Sequence, residues 1–246
     1  MANPAKAELR WPFLVVNPKA YLYGDDIYNL AKQADAMAVK YDIDVLFTAQ
    51  DIDLYRIAKD CPHIVPCAQH MESLTPGRGM GHVLPEALKA NGVKATFLNH
   101  AEHPLTAHEL AATIARANEL GILTVVCADS VEEGEMLAML EPDVMVCELT
   151  SLIGTGTVAG EDYMRSSTEA VKRVSPNTKV LQAAGIHSGQ NVYDAVKYGA
   201  DASGGTSGIV KADDPFGMVE EMAAALAKAR VDFAEQHEAD LKKYAK

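Results

Sequence analysis

Short runs of β-branched and apolar residues recur along this chain, each followed by a longer stretch of helical periodicity, with no hairpin signal between them. The runs cover 13–16, 44–47, 63–67, 95–98, 122–127, 143–147, 179–183 and 202–205. Between the first two, Ile27, Leu30, Ala34, Met37 and Ala38 recur at the spacing of one helix face, and Leu110, Ile114 and Ala117 do the same before Gly121. Further helical stretches are 53–58, 85–90, 131–140, 162–174, 191–198 and 215–228, and the Lys/Glu-rich tail 225–246 reads as one extended, solvated last helix. Strands separated by helices pair in parallel and are covered on both faces, so the alternation predicts an α/β fold, and eight repeats predict a closed (β/α)8 barrel. A doubly wound open sheet is the rival. Against it, no dinucleotide glycine fingerprint follows the first run, where Asn17-Pro18-Lys19-Ala20-Tyr21 stands instead. The eighth run, Ala202-Ser203-Gly204-Gly205, has the weakest strand pattern.

At 246 residues and 48% hydrophobic content, the chain is large enough to close one such core. The expected organisation is a single domain over 1–246, with a short N-terminal extension and an extended C-terminal helix. A formal charge of −12 and a pI near 5.1 repel phosphate backbones and acidic membranes, and no basic patch offsets them, so neither nucleic acid nor membrane is an expected partner. Cys61, Cys67, Cys127 and Cys147 stand singly, without a Cys-x-x-Cys pair, and read as reduced structural thiols. The apolar runs are too short to span a bilayer and the N-terminus lacks an apolar secretory core, so the expectation is a soluble, cytoplasmic protein.

A barrel of this kind builds its active face from the C-terminal ends of its strands, so those ends can be searched for chemistry. The first ends in Asn17 and Lys19, the fourth in Asn99, His100 and Glu102, the sixth in Glu148, the seventh in Gly185, and the eighth in Gly205-Thr206-Ser207-Gly208. Glu148 is followed closely by Ile153-Gly154-Thr155-Gly156. A carboxylate takes a proton, and the backbone N–H groups of a Gly-Thr-Gly turn hold an anion. A lysine, an imidazole, a carboxylate and glycine-rich loops converging on one rim suggest proton abstraction from a small phosphorylated substrate.

Asn17-x-Lys19, Asn99-His100-x-Glu102 and Glu148-x-x-x-x-Ile153-Gly154-Thr155-Gly156 resemble the three signature segments of the triosephosphate isomerase family, and the likeness extends from about residue 13 to 226. Ala68-Gln69-His70, Gly81-His82-Val83-Leu84-Pro85-Glu86 and Gly185-Ile186 are similar to the short archaeal-type branch. The resemblance implies a single TIM barrel that interconverts glyceraldehyde 3-phosphate and dihydroxyacetone phosphate through an enediolate. It implies Glu148 as the base, neutral His100 as the electrophile and Lys19 as the stabiliser of enediolate and phosphate charge. Asn17 would hold the substrate and Glu102 would pair with Lys19. Backbone groups of Ile153, Gly154, Gly185, Gly205, Thr206 and Ser207 would bind phosphate. This division of labour is a standard illustration of pKa tuning by environment rather than something the residues alone establish. No cofactor and no metal are implied, and the implied assembly is a homodimer or homotetramer.

The chain also departs from the family. A usual His-Ser-Glu-Arg run is here His100-Ala101-Glu102-His103-Pro104, and the proline expected after the base is Leu149. The seventh run ends Gln182-Ala183-Ala184-Gly185, where the classical branch has Tyr-Gly-Gly-Ser. Three alternatives stay open: an isomerase of a related four-carbon sugar phosphate, a non-catalytic sugar-phosphate-binding barrel, and a metal-dependent aldolase using His100, Glu102, His103 and His187.

Overall fold

The computed structural model describes residues 3–152, 155 and 157–244. Eight parallel strands close into a barrel in sequence order: β1 (Phe13–Val16), β2 (Asp44–Ala49), β3 (Val65–Ala68), β4 (Ala95–Leu98), β5 (Leu123–Ala128), β6 (Val144–Cys147), β7 (Lys179–Gln182) and β8 (Ala202–Gly205). The connecting helices are α1 (Gly24–Tyr41), α2 (Asp51–Asp60), α3 (Pro85–Ala90), α4 (Ala107–Leu120), α5 (Val131–Ala138), α6 (Glu161–Val174), α7 (Gly189–Lys197) and the single-turn α8 (Ser207–Val210). They are followed by α9 (Pro215–Asp232) and α10 (Ala234–Tyr244). The open doubly wound sheet is thereby excluded. No described helix is long and apolar enough to cross a membrane.

The near-continuous apolar strand runs follow from burial on both faces. Phe13 and Val15 point inward to a core shared with Leu46, Val65, Phe97, Val125, Val146 and Leu181. Leu14 and Val16 point outward to a larger core shared with Ile27, Leu30 and Leu226 of the surrounding helices. Three helix starts on the barrel wall are set by side chains that satisfy the first free N–H groups: Thr106 caps α4 through Glu109 N, Ser130 caps α5 through Glu133 N, and Ser188 caps α7 through Asn191 N. The glycine-rich eighth strand has a steric reason. Gly204 has φ +146°, and a Cβ there would overlap the backbone of Val15 on β1, so the residue closing the barrel must lack one.

Most boundaries shift by one or two residues from the sequence reading, and two departures have a visible cause. The third strand starts at Val65 rather than 63, because His63 is turned toward α1, its N–H bonding Asp35 Oδ1 at 2.7 Å. The tail is not one helix: α9 stops before Phe233, and α10 packs separately beneath the N-terminal end of the barrel. There His237 stacks on Trp11, with ring centroids 4.0 Å apart, and Lys243 pairs with Glu169 on α6 at 2.6 Å. All four cysteines are buried and free, and burial pushes the Cys147 thiol up to about 12.

Candidate active site

The strand ends bring the expected side chains to one cavity. A hollow of about 240 Å³ is lined by Asn17, Lys19, His100, Glu102 and Glu148 and by Gly185, Gly205, Thr206 and Ser207, together with the inward-facing Val15, Phe97, Val146 and Leu181. Ile153 and Gly154 lie outside the described residues.

Lys19 sits in the left-handed region at φ +49°, a conformation that costs an L-residue free energy and persists where neighbours over-determine it. Its N–H donates to Asn17 Oδ1 at 3.1 Å, and Gln69 Nε2 donates to its carbonyl at 2.8 Å. Thr48 on β2 also donates to Asn17 Oδ1, at 2.5 Å. The Asn17 oxygen is therefore engaged in holding the lysine turn. The Lys19 ammonium, largely shielded, pairs with the exposed Glu102 carboxylate at 2.8 Å.

His100 is held in one tautomer. The backbone N–H of Glu102 donates to His100 Nδ1 at 3.0 Å, so Nδ1 is an acceptor and the neutral ring carries its proton on Nε2. Burial, and then the Lys19 charge, depress the imidazole below its ordinary value, with Glu102 opposing. The turn itself is anchored by Asn99, at φ +56°, whose side chain donates to Cys127 O at 3.0 Å and accepts from Leu105 N at 3.0 Å.

Glu148 leaves β6 with its N–H bonded to Ala128 O at 3.1 Å. Burial raises its carboxyl above the ordinary glutamate range; Lys19 pulls it back down and Glu102 adds to the rise. For Glu102, burial again resists ionisation, but the hydrogen bond and charge of Lys19 outweigh it and the net shift is downward. The two carboxyl groups of the cavity are thus driven apart, one toward a stronger base and one toward a permanent anion.

The segment after Glu148 opens with a one-turn 3-10 helix, Thr150–Leu152, tethered where Thr150 N–H meets Asp129 Oδ1 at 2.5 Å. Its far end passes over the β7 turn. Gly185 has φ +73°, and a Cβ there would overlap the carbonyl of Thr157, so this glycine is required both by its backbone and by the closeness of the Thr157 backbone.

The model of a family described as triosephosphate isomerase matches residues 12–220. The chain belongs to the triosephosphate isomerase family. Among similar proteins of that name, the one from Methanosarcina barkeri is 33% identical over 216 residues, 86% of this chain and 97% of its own length. The protein from Methanobacterium bryantii is 32% identical over 83% of this chain and 92% of its own. The Saccharolobus solfataricus protein is 30% identical over 89% and 97%. These relatives are archaeal, in keeping with the short branch that the motifs resemble.

As in the motifs of the triosephosphate isomerase family, the lysine, histidine and glutamate of this chain face one hollow. Gln69, Thr48 and Asp129 support that arrangement and were given no role from sequence. Gln69 stands just past the C-terminal end of β3, so the strand-end rule, applied to the third strand, is the signal that could have found it. The four residues offered as aldolase ligands are not gathered: His187 turns its Nδ1 to Gly185 O at 2.7 Å, and among the described residues no group of three or more His, Cys, Asp or Glu is arranged to hold a metal.

Proposed function

We propose that this chain is an aldose–ketose isomerase that interconverts glyceraldehyde 3-phosphate and dihydroxyacetone phosphate through an enediolate. The observation that carries the reading is the single cavity joining the raised-pKa carboxyl of Glu148, the Nε2–H of a neutral His100 and the Lys19 ammonium to the glycine turns at 185 and 205. In this reading Glu148 removes a proton from the carbon beside the substrate carbonyl. His100 Nε2–H donates to the carbonyl oxygen as negative charge develops there, and Lys19 stabilises that charge. Glu148 then returns the proton to the neighbouring carbon, while the hydroxyl proton passes by way of His100 Nε2 to the former carbonyl oxygen, so that the new carbonyl forms where the hydroxyl stood. Backbone groups of Gly185, Gly205, Thr206 and Ser207, together with Ile153 and Gly154, hold the phosphate. Asn17 acts on the substrate through the Lys19 turn that it supports, and Glu102 through its pairing with Lys19.

A second reading, turnover of a four-carbon sugar phosphate, is favoured by one observation. A further hollow of about 380 Å³ adjoins the cavity, sharing Asn17, Lys19, Phe97, His100 and Glu102 and continuing to Gln50, Gln69 and His70. We further propose a cytoplasmic homodimer or homotetramer, as suits a family that acts on small phosphorylated sugars and is generally oligomeric.

A coupled assay across three- and four-carbon aldose and ketose phosphates tests both readings. Glu148→Gln is expected to lower turnover on the preferred substrate by about 10²–10⁴-fold with little change in phosphate affinity. Near-wild-type turnover of that variant would remove Glu148 as the base.

A further inference from the structure

The turn that carries His100 and Glu102 is braced from outside the substrate cavity. His103, exposed on that turn, lies against the ring of His70, with centroids 3.8 Å apart and planes 23° from parallel. His70 directly follows Gln69 beyond the end of β3, so one dipeptide touches both flanking turns: Gln69 bonds the Lys19 carbonyl at 2.8 Å and His70 stacks on His103. His103 N–H in turn donates to His100 O at 2.7 Å, which couples any displacement of His103 to the residue bearing the electrophilic imidazole. The arginine expected after Glu102 could not form a stack that depends on its own loss of charge; the histidine in its place can.

We infer that His103 is a positioning residue: stacked on His70, it holds the His100–Glu102 turn in register with Lys19 and Glu148, and the brace gives way when both imidazoles carry charge. The inference rests on the roles proposed above for His100 and Glu102.

The charges around the stack set the direction of its pH response. His70 Nε2 is 3.7 Å from Glu72 Oε1, and the same oxygen meets His82 Nδ1 at 3.0 Å. Asp51 at the start of α2, Lys19 beyond β1, and His100 and Glu102 on the turn itself face the same hollow. Glu72 compensates one imidazolium but divides its charge between His70 and His82. A second proton, on His103, meets a like charge across the stack without a solvent layer between the rings. Burial, and next the neighbouring His103, hold His70 below the ordinary histidine value of 6.5, with Glu72 opposing. Because the folded value is depressed, the neutral stack is intact above 6.5 and is lost as pH falls below it through the lowered value.

The test compares kcat–pH profiles of the full chain and three variants on glyceraldehyde 3-phosphate, whose own phosphate titration is common to all. His103→Ala removes the ring: at pH ~8 we expect kcat to fall about tenfold with KM within about twofold, since small misplacements of a catalytic group cost up to ~10²-fold. His103→Phe keeps an aromatic stack that cannot carry charge: we expect kcat rescued to within about threefold of wild type, and the loss of kcat that the stack contributes as pH falls below 6.5 to disappear. His100→Gln is the control on the underlying reading. Near-wild-type turnover there sinks the role of His100 itself. With His100→Gln impaired, wild-type kcat in His103→Ala, or the wild-type acid limb in His103→Phe, overturns the brace. A lowered Tm of His103→Ala without loss of kcat overturns it too, by showing that the stack serves stability alone.

Discussion

Gly185→Ala puts the backbone and the lid into direct conflict. Gly185 has φ +73°, and a Cβ built there runs into the carbonyl carbon and oxygen of Thr157 and the nitrogen of Val158. The left-handed conformation by itself costs an L-residue about 1–2 kcal/mol. For a chain of this size each kcal/mol lowers Tm by roughly 2–4 °C, so the backbone cost alone predicts a fall of about 2–8 °C. The overlap adds a displacement: to reach ordinary contact distance Thr157 must retreat by on the order of 1 Å. Thr157 lies between the proposed base, Glu148, and α6, and a misplacement of that size, passed to the Gly185 turn of the cavity, costs about 10²-fold. The expected result is therefore a modest loss of Tm with a large loss of kcat/KM. Inorganic phosphate should also appear during turnover, because a segment displaced from the Gly185 turn no longer holds the proposed enediolate against loss of its phosphate. Differential scanning calorimetry, the coupled isomerase assay and a phosphate-release assay read the three effects. A Tm loss without a fall in kcat/KM would show that closure does not pass through the Gly185–Thr157 contact. No change in either would refute the steric reasoning altogether.

Glu148→Gln should raise Tm at pH 7. The folded carboxyl is raised from 4.5 by burial, so its stabilising contribution exists below 4.5 and is lost as pH rises through the folded value. The gain should vanish in melts below pH 4.5, and an unchanged or lower Tm at pH 7 would contradict the cause assigned to the shift. Lys19→Met should weaken 2-phosphoglycolate binding severely by isothermal titration calorimetry, because the lysine opposes a chain charge of −12; unchanged affinity would move the anion site elsewhere. Lys172→Met leaves Asp201 uncompensated in a buried pair whose side chains are 8% and 4% exposed. That costs about 3–5 kcal/mol, and Asp201→Asn in the same chain should recover part of it; a single variant that melts like wild type would refute this. Deleting residues 234–246 should shift emission of the lone tryptophan, Trp11, to the red by removing its stack on His237, and unchanged emission would mean that α10 does not cover it.

The barrel and the identities of its rim residues were legible in the sequence because both rest on local signals. A strand buried on two faces needs a short apolar run, a covering helix needs periodic apolar positions, and chemistry in a parallel barrel gathers where the strands end. Asn17, Lys19, His100, Glu102, Glu148, Gly185 and the 205–207 turn could therefore be named before any contact was known. What those residues need in order to sit correctly is not local. Lys19 holds its left-handed backbone because Gln69 reaches its carbonyl, and Thr48 fixes the neighbouring Asn17, from other parts of the chain. Gly185 is required in part by Thr157, and the shift of Glu148 is set by burial and by charges from β1 and β4. The break at Phe233 is equally non-local, since α10 is aligned by Trp11 and Glu169 rather than by a breaker in its own sequence. Periodicity reports which face of an element is buried, but not which residues from distant segments will meet there, and those meetings set backbone strain, tautomer and pKa.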